Sequence, residues 1–399
     1  WGSVIERGGG TGSSVDSCSA QSGPDFLHRC LIGSGLTTLE EVTFLGYVPP
    51  PDACEPLAEM VARWGGSFRR VGEVGQREEI SLPRSTYGKG VPWWAQHASW
   101  RSPDRFLAAL PQGRIFGAGN VLAPDGTTLA GDVSPDRGKL ASDHWLLSYL
   151  KIRPPVSRAG VTAVASVPLA HGYSHWLLEE LPRLLALRGQ RFDHLVAHAT
   201  ETFQRVALDH LGWTSRVRPG PRYAHVACEQ LLIPDVPSWE TPSRTTLAEI
   251  AEFGRSVEGD GPHGFERLYL SRSGARRRRV VKEALLWEAL APMGFQQVFT
   301  ETLTLSEQSA LFRRARLVVA PHGAGLANLV FSPPGTRVIE LLHSRYLHPG
   351  YWRIAALLGH DYRAVVEDSG GGAAYDPSAN RLDIDVSIDE VLKAVKGEG

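Results

Sequence analysis

The chain has 399 residues, 42% of them apolar and 21% charged. That balance excludes a disordered chain and leaves room for one large core or two ordinary ones. The 42 Lys and Arg against 43 Asp and Glu leave no bulk charge to draw it toward nucleic acid or anionic lipid. No apolar run approaches the length that spans a bilayer. Cys18, Cys30, Cys54 and Cys228 are too scattered for a zinc pair or a disulfide framework, so a reducing, cytoplasmic setting is expected.

Residues 1–20 are Gly- and Ser-rich and are expected to form a flexible segment. The opening WGSVIERGGGTGSSVDS lacks the charged start and apolar middle of a signal peptide, and it lacks an initiator Met, so the true start is expected to be missing. Residues 21–155, rich in Pro, Gly and Trp with little helical periodicity, predict a β-rich N-terminal region. Within it GRIFGAGNVLAPDGTTLAGD, residues 113–132, predicts a hairpin about Pro124-Asp125-Gly126.

From residue 156 to 260 strand and helix alternate. VTAVASVPL, HLVAH and HVACEQLLIP read as strands, and YSHWLLEELPRLLALRG, ETFQRVALDHLG and TTLAEIAEFGRSV as helices. EGDGPHG, residues 258–264, reads as a linker. Over residues 261–399, RLYLSR, FQQVFT, RLVVA and RVIEL predict strands, while VVKEALLWEALAPMG, GLANLVF and GYWRIAALLG predict helices. A further helix opens with the capping box Thr304-x-x-Glu307. The order predicts a parallel sheet covered by helices. Two such α/β lobes would place a cleft at the strand C-termini.

Chemistry concentrates in VVAPHGAGLANLVFSPPGTRVIEL, residues 318–341. A buried strand runs into a turn with Gly323 and Gly325 and then into a helix. Without a Cβ the backbone can approach a ligand closely, and the helix start favours an anion, phosphate above all. Glu340 ends the next strand, where an acid accepts from ribose hydroxyls in dinucleotide-binding units. Packing alone also accounts for two glycines at such a turn, and Asn328 stands where a third glycine would complete the dinucleotide pattern.

Three separated stretches resemble glycosyltransferase family 61, in its bacterial-type form. LFRRARLVVAPHGAGLANLVFSPPGTRVIEL is similar to the family's hallmark, RLYLSRSGARRRRVVKEALL to the segment before it, and HGYSHWLLEELPRLLAL to its N-terminal motif. The resemblance spans about 160 to 345 and covers residues 1–150 only loosely. It implies an α/β, GT-B-like architecture of two Rossmann-like lobes with a central cleft, the N-terminal one on the acceptor side and the C-terminal one on the donor side. It also implies inverting transfer of a hexosyl or pentosyl group, without an obligatory metal or other cofactor, from a nucleotide-diphosphate sugar, UDP-linked by expectation. The acceptor would be a glycan or lipid-linked glycan in surface polysaccharide synthesis, with the enzyme peripheral on the inner face of the membrane.

On that resemblance Arg272, with Arg277 or Arg278 from the run Arg276–Arg279, is expected to hold the diphosphate, because a planar permanent cation offsets leaving-group charge. His322, Gly323, Ala324, Gly325 and Glu340 complete the expected donor site, with Asn328 bracing the turn. Inversion needs a base for the acceptor hydroxyl; His175 is the first candidate, with Glu179 one turn on to orient it or replace it. Asp143 and His144 form a second acid/base candidate. His171, His175 and Glu179 mimic a helical zinc set, but Gly172 breaks the face, and Asp383-x-Asp385 reads as a strand before the Ser387-x-x-Glu390 capping box. A nucleotide-sugar epimerase, an NAD(P)-dependent oxidoreductase built on Gly323, Gly325 and Glu340, and a non-catalytic glycan-binding module stay open as alternatives.

Overall fold

The computed structural model describes residues 48–72, 74–85, 91–134, 136, 140–149, 151–218, 223–257, 265–368 and 375–398. The N-terminal segment 1–20, Cys18, Cys30 and the linker 258–264 lie outside the described residues. In chain order the first nine strands are β1 (Ala53–Glu55), β2 (Ser67–Arg70), β3 (Arg77–Glu79), β4 (Arg84–Ser85), β5 (Ser99–Arg101), β6 (Phe106–Pro111), β7 (Arg114–Phe116), β8 (Asn120–Leu122) and β9 (Thr128–Ala130). Then come β10 (Val156–Val164), β11 (His194–Val196), β12 (His225–Pro234), β13 (Arg267–Leu270), β14 (Gln296–Val298), β15 (Leu317–Pro321), β16 (Arg337–Leu342) and β17 (Asp361–Val366). The helices are α1 (Leu57–Arg63), α2 (Val91–His97), α3 (173–186), α4 (Thr202–His210), α5 (Arg244–Ser256), α6 (Glu283–Leu290), α7 (Leu305–Phe312), α8 (Gly350–Leu357) and α9 (Ile388–Lys396).

Two large sheets organise the chain. The C-terminal one, β14-β13-β15-β16-β17-β4, is parallel throughout, as the alternation of its strands and helices predicts. Its strands β13, β15 and β16 are almost continuously buried, the pattern of a sheet covered on both faces. The other sheet has nine strands and is mixed: β10 lies parallel to β11 and β12, while β12 runs antiparallel to β6 and β7. The expected boundary at 155/156 therefore falls inside one sheet, because the N-terminal region supplies the strands that pair with β12. That region also lends β4 to the edge of the C-terminal sheet.

Several local expectations change for identifiable reasons. The hairpin about Pro124-Asp125-Gly126 forms between β8 and β9, with Gly126, at φ 83°, closing the turn onto the Ala123 carbonyl, and β7 extends it into a meander. DYRAVV forms β17, a strand the sequence reading missed. Among the described residues RLDIDVSIDE pairs through a single bridge between Val280 and Ile384, with Asp383 and Asp385 engaged by Arg279 and Lys282. GLANLVF lies in a tight 3-10 helix, Ala324–Phe331, and the basic run before α6 is a loop. The capping box of Thr304 and Glu307 is formed in full, and Gly294, left-handed at φ 80°, stops the helical stretch after α6.

Helix α3 widens to a π turn over Trp176–Glu180. Pro182 follows and has no N–H to donate to the Leu178 carbonyl, which removes one rung of the regular ladder. The largest apolar cluster draws on both sheets, from Trp176, Leu181 and Leu195 to Leu268, Val318 and Leu329. Among the described residues no helix is long and apolar enough to cross a membrane. The join is tight at Gly254 of α5, where an added Cβ would lie 2.3 Å from the ring of Phe331 in the 3-10 helix. Gly254→Ala is expected to lose about 1–3 kcal/mol of stability through overpacking, read as a lower urea midpoint.

Candidate functional site

Five segments meet where parallel strands end. They are the loop after β13, the turn and 3-10 helix after β15, the loop from β16 to α8, the first turn of α3, and the loop after β12 that carries Trp239.

Arg272 and Arg278 form the cationic centre. Arg272 lies across the turn after β15: a Cβ on Gly323 would stand 2.2 Å from its Nη1 and 2.9 Å from its Cζ. Gly323 has φ 178°, an extended conformation open to any residue, so glycine is required here for space. The space is filled by the protein's own guanidinium, which corrects the expectation that Gly323 opens the turn to a ligand. Gly325 likewise faces the Thr300 side chain at 3.0 Å. Arg272 donates from Nη2 to the Arg277 carbonyl at 3.1 Å, while its buried Nε has no partner. Arg278, held at φ 55°, turns back over the Tyr346 ring at 5.7 Å, and its buried Nε also lacks a partner. Among the described residues neither forms an ion pair with a carboxylate. Burial first, then Arg278, lowers Arg272 to about 10; burial lowers Arg278 as well. Arg276, Arg277 and Arg279 are exposed, and Arg279 pairs with Asp383. Of the two alternatives for the second arginine, Arg278 is the one turned inward.

His322 and Glu340 are buried together. Nδ1 of His322 lies 2.5 Å from Oε1 of Glu340, and Tyr362 donates its hydroxyl to Oε2 at 2.5 Å. Both Glu340 oxygens are thus engaged inside the protein, and its fully buried side chain is not placed to accept from a ribose, contrary to the expectation. Burial raises the Glu340 carboxyl to about 8, and burial together with Arg278, His348 and Arg272 holds His322 well below the ordinary histidine range.

The start of α3 reaches this cluster from the nine-stranded sheet. Tyr173 donates to Asn328 at 2.6 Å, and Asn328 in turn donates to Gln308 and to the Gly325 carbonyl, so it braces the turn as expected. Ser174 hydrogen-bonds Tyr351, whose ring centroid is 5.3 Å from that of His322. His175 places Nδ1 2.8 Å from Glu179 and packs edge-on to Trp239 at 6.0 Å. Trp239 stacks on His348 at 4.2 Å and lies against Gly350, where an added Cβ would sit 2.2 Å from the indole. Asp143 and His144 are elsewhere: His144 is buried beside Trp145 and accepts from the Leu146 N–H. Trp239, Glu240, Tyr346, His348 and Tyr351 were not foreseen. The signal for the last three is the run Tyr346-Leu-His348-Pro-Gly-Tyr351-Trp352 at a strand end, dense in ring side chains.

The shifted pair makes stability depend on pH. Glu340 keeps its proton when folded up to about 8, whereas the unfolded carboxyl ionises near its ordinary value. Its contribution is complete below the unfolded value and is lost as pH rises toward 8. His322, lowered on folding, costs stability only below its ordinary range and is silent above pH about 6.5. His198, raised by Glu180, adds a slope of the same sign as Glu340. Unfolding free energy is therefore expected to fall between pH about 6.5 and 8, and to fall less steeply in Glu340→Gln. The difference is at most about 1.4 kcal/mol per pH unit, read from urea titrations of both proteins.

Residues 173–339 match the family model described as Glycosyltransferase 61. A stretch of 63 residues is 33% identical to a beta-1,2-xylosyltransferase of Oryza sativa subsp. japonica, covering 16% of this chain and 12% of the relative's length. The family match takes in Tyr173, His175, Glu179, Arg272, Arg278 and His322 and stops one residue short of Glu340. Over residues 173–339, then, the chain is similar to glycosyltransferase family 61.

Proposed function

We propose that the protein is an inverting, metal-independent glycosyltransferase of GT-B architecture that moves a sugar from a UDP-linked donor to a glycan or lipid-linked acceptor. The setting proposed is surface polysaccharide synthesis at the cytoplasmic face of a membrane. One observation carries the reading: Arg272 and Arg278 are brought together half-buried, each with a buried, unpartnered Nε and no carboxylate ion pair among the described residues. A buried cation without a counter-charge is costly, and two side by side call for an anion of high charge. A diphosphate supplies that charge, and the planar guanidinium forks suit its oxygens.

In the transfer the acceptor oxygen attacks the anomeric carbon and the bond from that carbon to the diphosphate breaks. The negative charge that grows on the leaving diphosphate faces Arg272 and Arg278. The hydroxyl proton passes to Nε2 of His175, which is left as the accepting nitrogen when Nδ1 donates to Glu179. Glu340, occupied by His322 and Tyr362, supplies no ribose contact for the oxidoreductase alternative. The relative's name brings a pentosyl donor into the set worth testing beside hexosyl donors.

A thermal-shift panel of nucleoside diphosphates and their sugars is expected to show UDP and UDP-sugars raising the melting point. Arg272→Ala and Arg278→Ala should each weaken UDP about 10- to 100-fold, the worth of charged hydrogen bonds. His175→Ala should lower kcat/KM by about 100-fold or more and leave UDP affinity unchanged. A panel in which no nucleoside diphosphate binds would falsify the reading.

A further inference from the structure

His322, Glu340 and Tyr362 form a closed chain with one open end. The Tyr362 hydroxyl gives its single proton to Oε2 of Glu340, and Oε1 faces Nδ1 of His322 at 2.5 Å. At that separation two lone pairs cannot oppose each other, so a proton lies between Oε1 and Nδ1. The remaining question is whether Nε2, the other ring nitrogen, also carries one. It does whenever Glu340 and His322 together hold one proton more than an ionised carboxylate with a neutral ring. The surroundings favour that state. Glu340 is fully buried, and among the described residues the ring is its one ion-pair partner, so burial outweighs the pull of Arg278 toward the ionised form. Arg272, Arg278 and His348 all oppose positive charge on the ring, so the arrangement is a protonated carboxyl donating to Nδ1 of a neutral imidazole.

We propose that Glu340 is a positioning residue that keeps a proton on Nε2 of His322 and so makes this ring a third donor, beside Arg272 and Arg278, to the bound diphosphate. The diphosphate rests on the nucleotide-sugar reading given above; the placement of the proton does not. A neutral donor suits the place because it adds a hydrogen bond without a third cation next to two unpaired guanidiniums.

The groups facing the ring are Arg272 and Arg278 from the loop after β13, Tyr346 and His348 from the loop after β16, Tyr351 from α8 and Tyr362 from β17, with Glu340 from β16 itself. Burial keeps His348 below the ordinary histidine range, and raises Tyr346, Tyr351 and Tyr362 above the ordinary tyrosine range. Arg272 is lowered only to about 10. Between pH 7 and 9, then, Glu340 at about 8 is the member of this set that changes charge. Once it ionises, Nδ1–H becomes the shared donor and Nε2 is bare.

The test uses the full chain labelled with 15N-histidine, in wild type, Glu340→Gln and Tyr362→Phe, with His322→Gln to assign the resonance. In wild type at pH 7 the ring should show a protonated Nε2 and an accepting Nδ1, and Nε2 should lose its proton as pH passes about 8. Glu340→Gln should hold the Nε2–H form throughout, because its carbonyl keeps accepting from Tyr362 and its NH2 then donates to Nδ1. Tyr362→Phe removes a bond that favours the ionised carboxylate and should move the change to higher pH. UDP, whose terminal phosphate is mostly ionised by pH 7 (second pKa about 6) and gains rather than loses charge above it, should bind about tenfold more weakly at pH 9 than at pH 7 in wild type, and with less than about a twofold change in Glu340→Gln. A bare Nε2 in wild type at pH 7, or an equal pH slope for UDP in wild type and Glu340→Gln, overturns the proposal. Absence of UDP binding in every protein and at every pH ends the nucleotide reading and with it the diphosphate half, whereas the ring spectra decide the proton's place by themselves.

Discussion

Two half-buried guanidinium groups that form no carboxylate ion pair among the described residues set the terms for the rest of the site. Arg272 can lie where it does because Gly323 has no Cβ, and Arg278 because its own backbone turns left-handed at φ 55°. The nearest buried acid does not balance them. Glu340 is committed to His322 and Tyr362 and is raised by burial, so it carries little charge at neutral pH. The site keeps its positive charge in reserve, at a cost in stability that an anionic ligand would remove.

The nine-stranded sheet contributes through contacts that fix where α3 begins. Tyr173 reaches Asn328 and Ser174 reaches Tyr351, while His175 is set against Trp239, which stacks on His348. Trp239 is itself pinned. Arg353 donates to the His97 carbonyl at 3.0 and 2.8 Å and to the Glu240 carbonyl, and its guanidinium lies over the Trp100 ring. Trp100 in turn donates to the Pro242 carbonyl at 2.9 Å. The loop after β12, α2 and α8 are thereby tied into one support, and the position of His175 depends on all three.

The alternation of apolar runs and helical patches after residue 265 was enough to read the parallel sheet, because its strands are buried on both faces and bounded by turn residues. The sharing of one sheet by residues 53–130 and 156–234 was not legible. It rests on β12 pairing with β6 across more than a hundred residues, and no local pattern encodes such a partner. At the site, residue types were readable but uses were not. Gly323 was identified for its missing Cβ, yet what occupies the space is a side chain fifty-one positions earlier in the chain. Glu340 was identified for its place at a strand end, yet β17 supplies the tyrosine that engages it, and β17 itself escaped notice.

Among the site's histidine–glutamate pairs, the two that bond through Nδ1 differ in exposure. His175 and Glu179 are 26% and 17% exposed at their side chains, and His322 and Glu340 are 5% and 0% exposed. Each pair bonds through Nδ1, so in each the carboxyl group governs what Nε2 can do. Where water reaches the glutamate, an Nδ1–H donated to it leaves Nε2 bare, the form the proposed transfer needs of a base. Where the glutamate is sealed in, the proposed arrangement has it keep its proton and share it with Nδ1 as a hydrogen bond, which leaves Nε2 a donor, the form an anion needs of its binding site. The difference lies in solvent access to one carboxyl group, so identical residue types would serve acceptor activation on one side and diphosphate binding on the other.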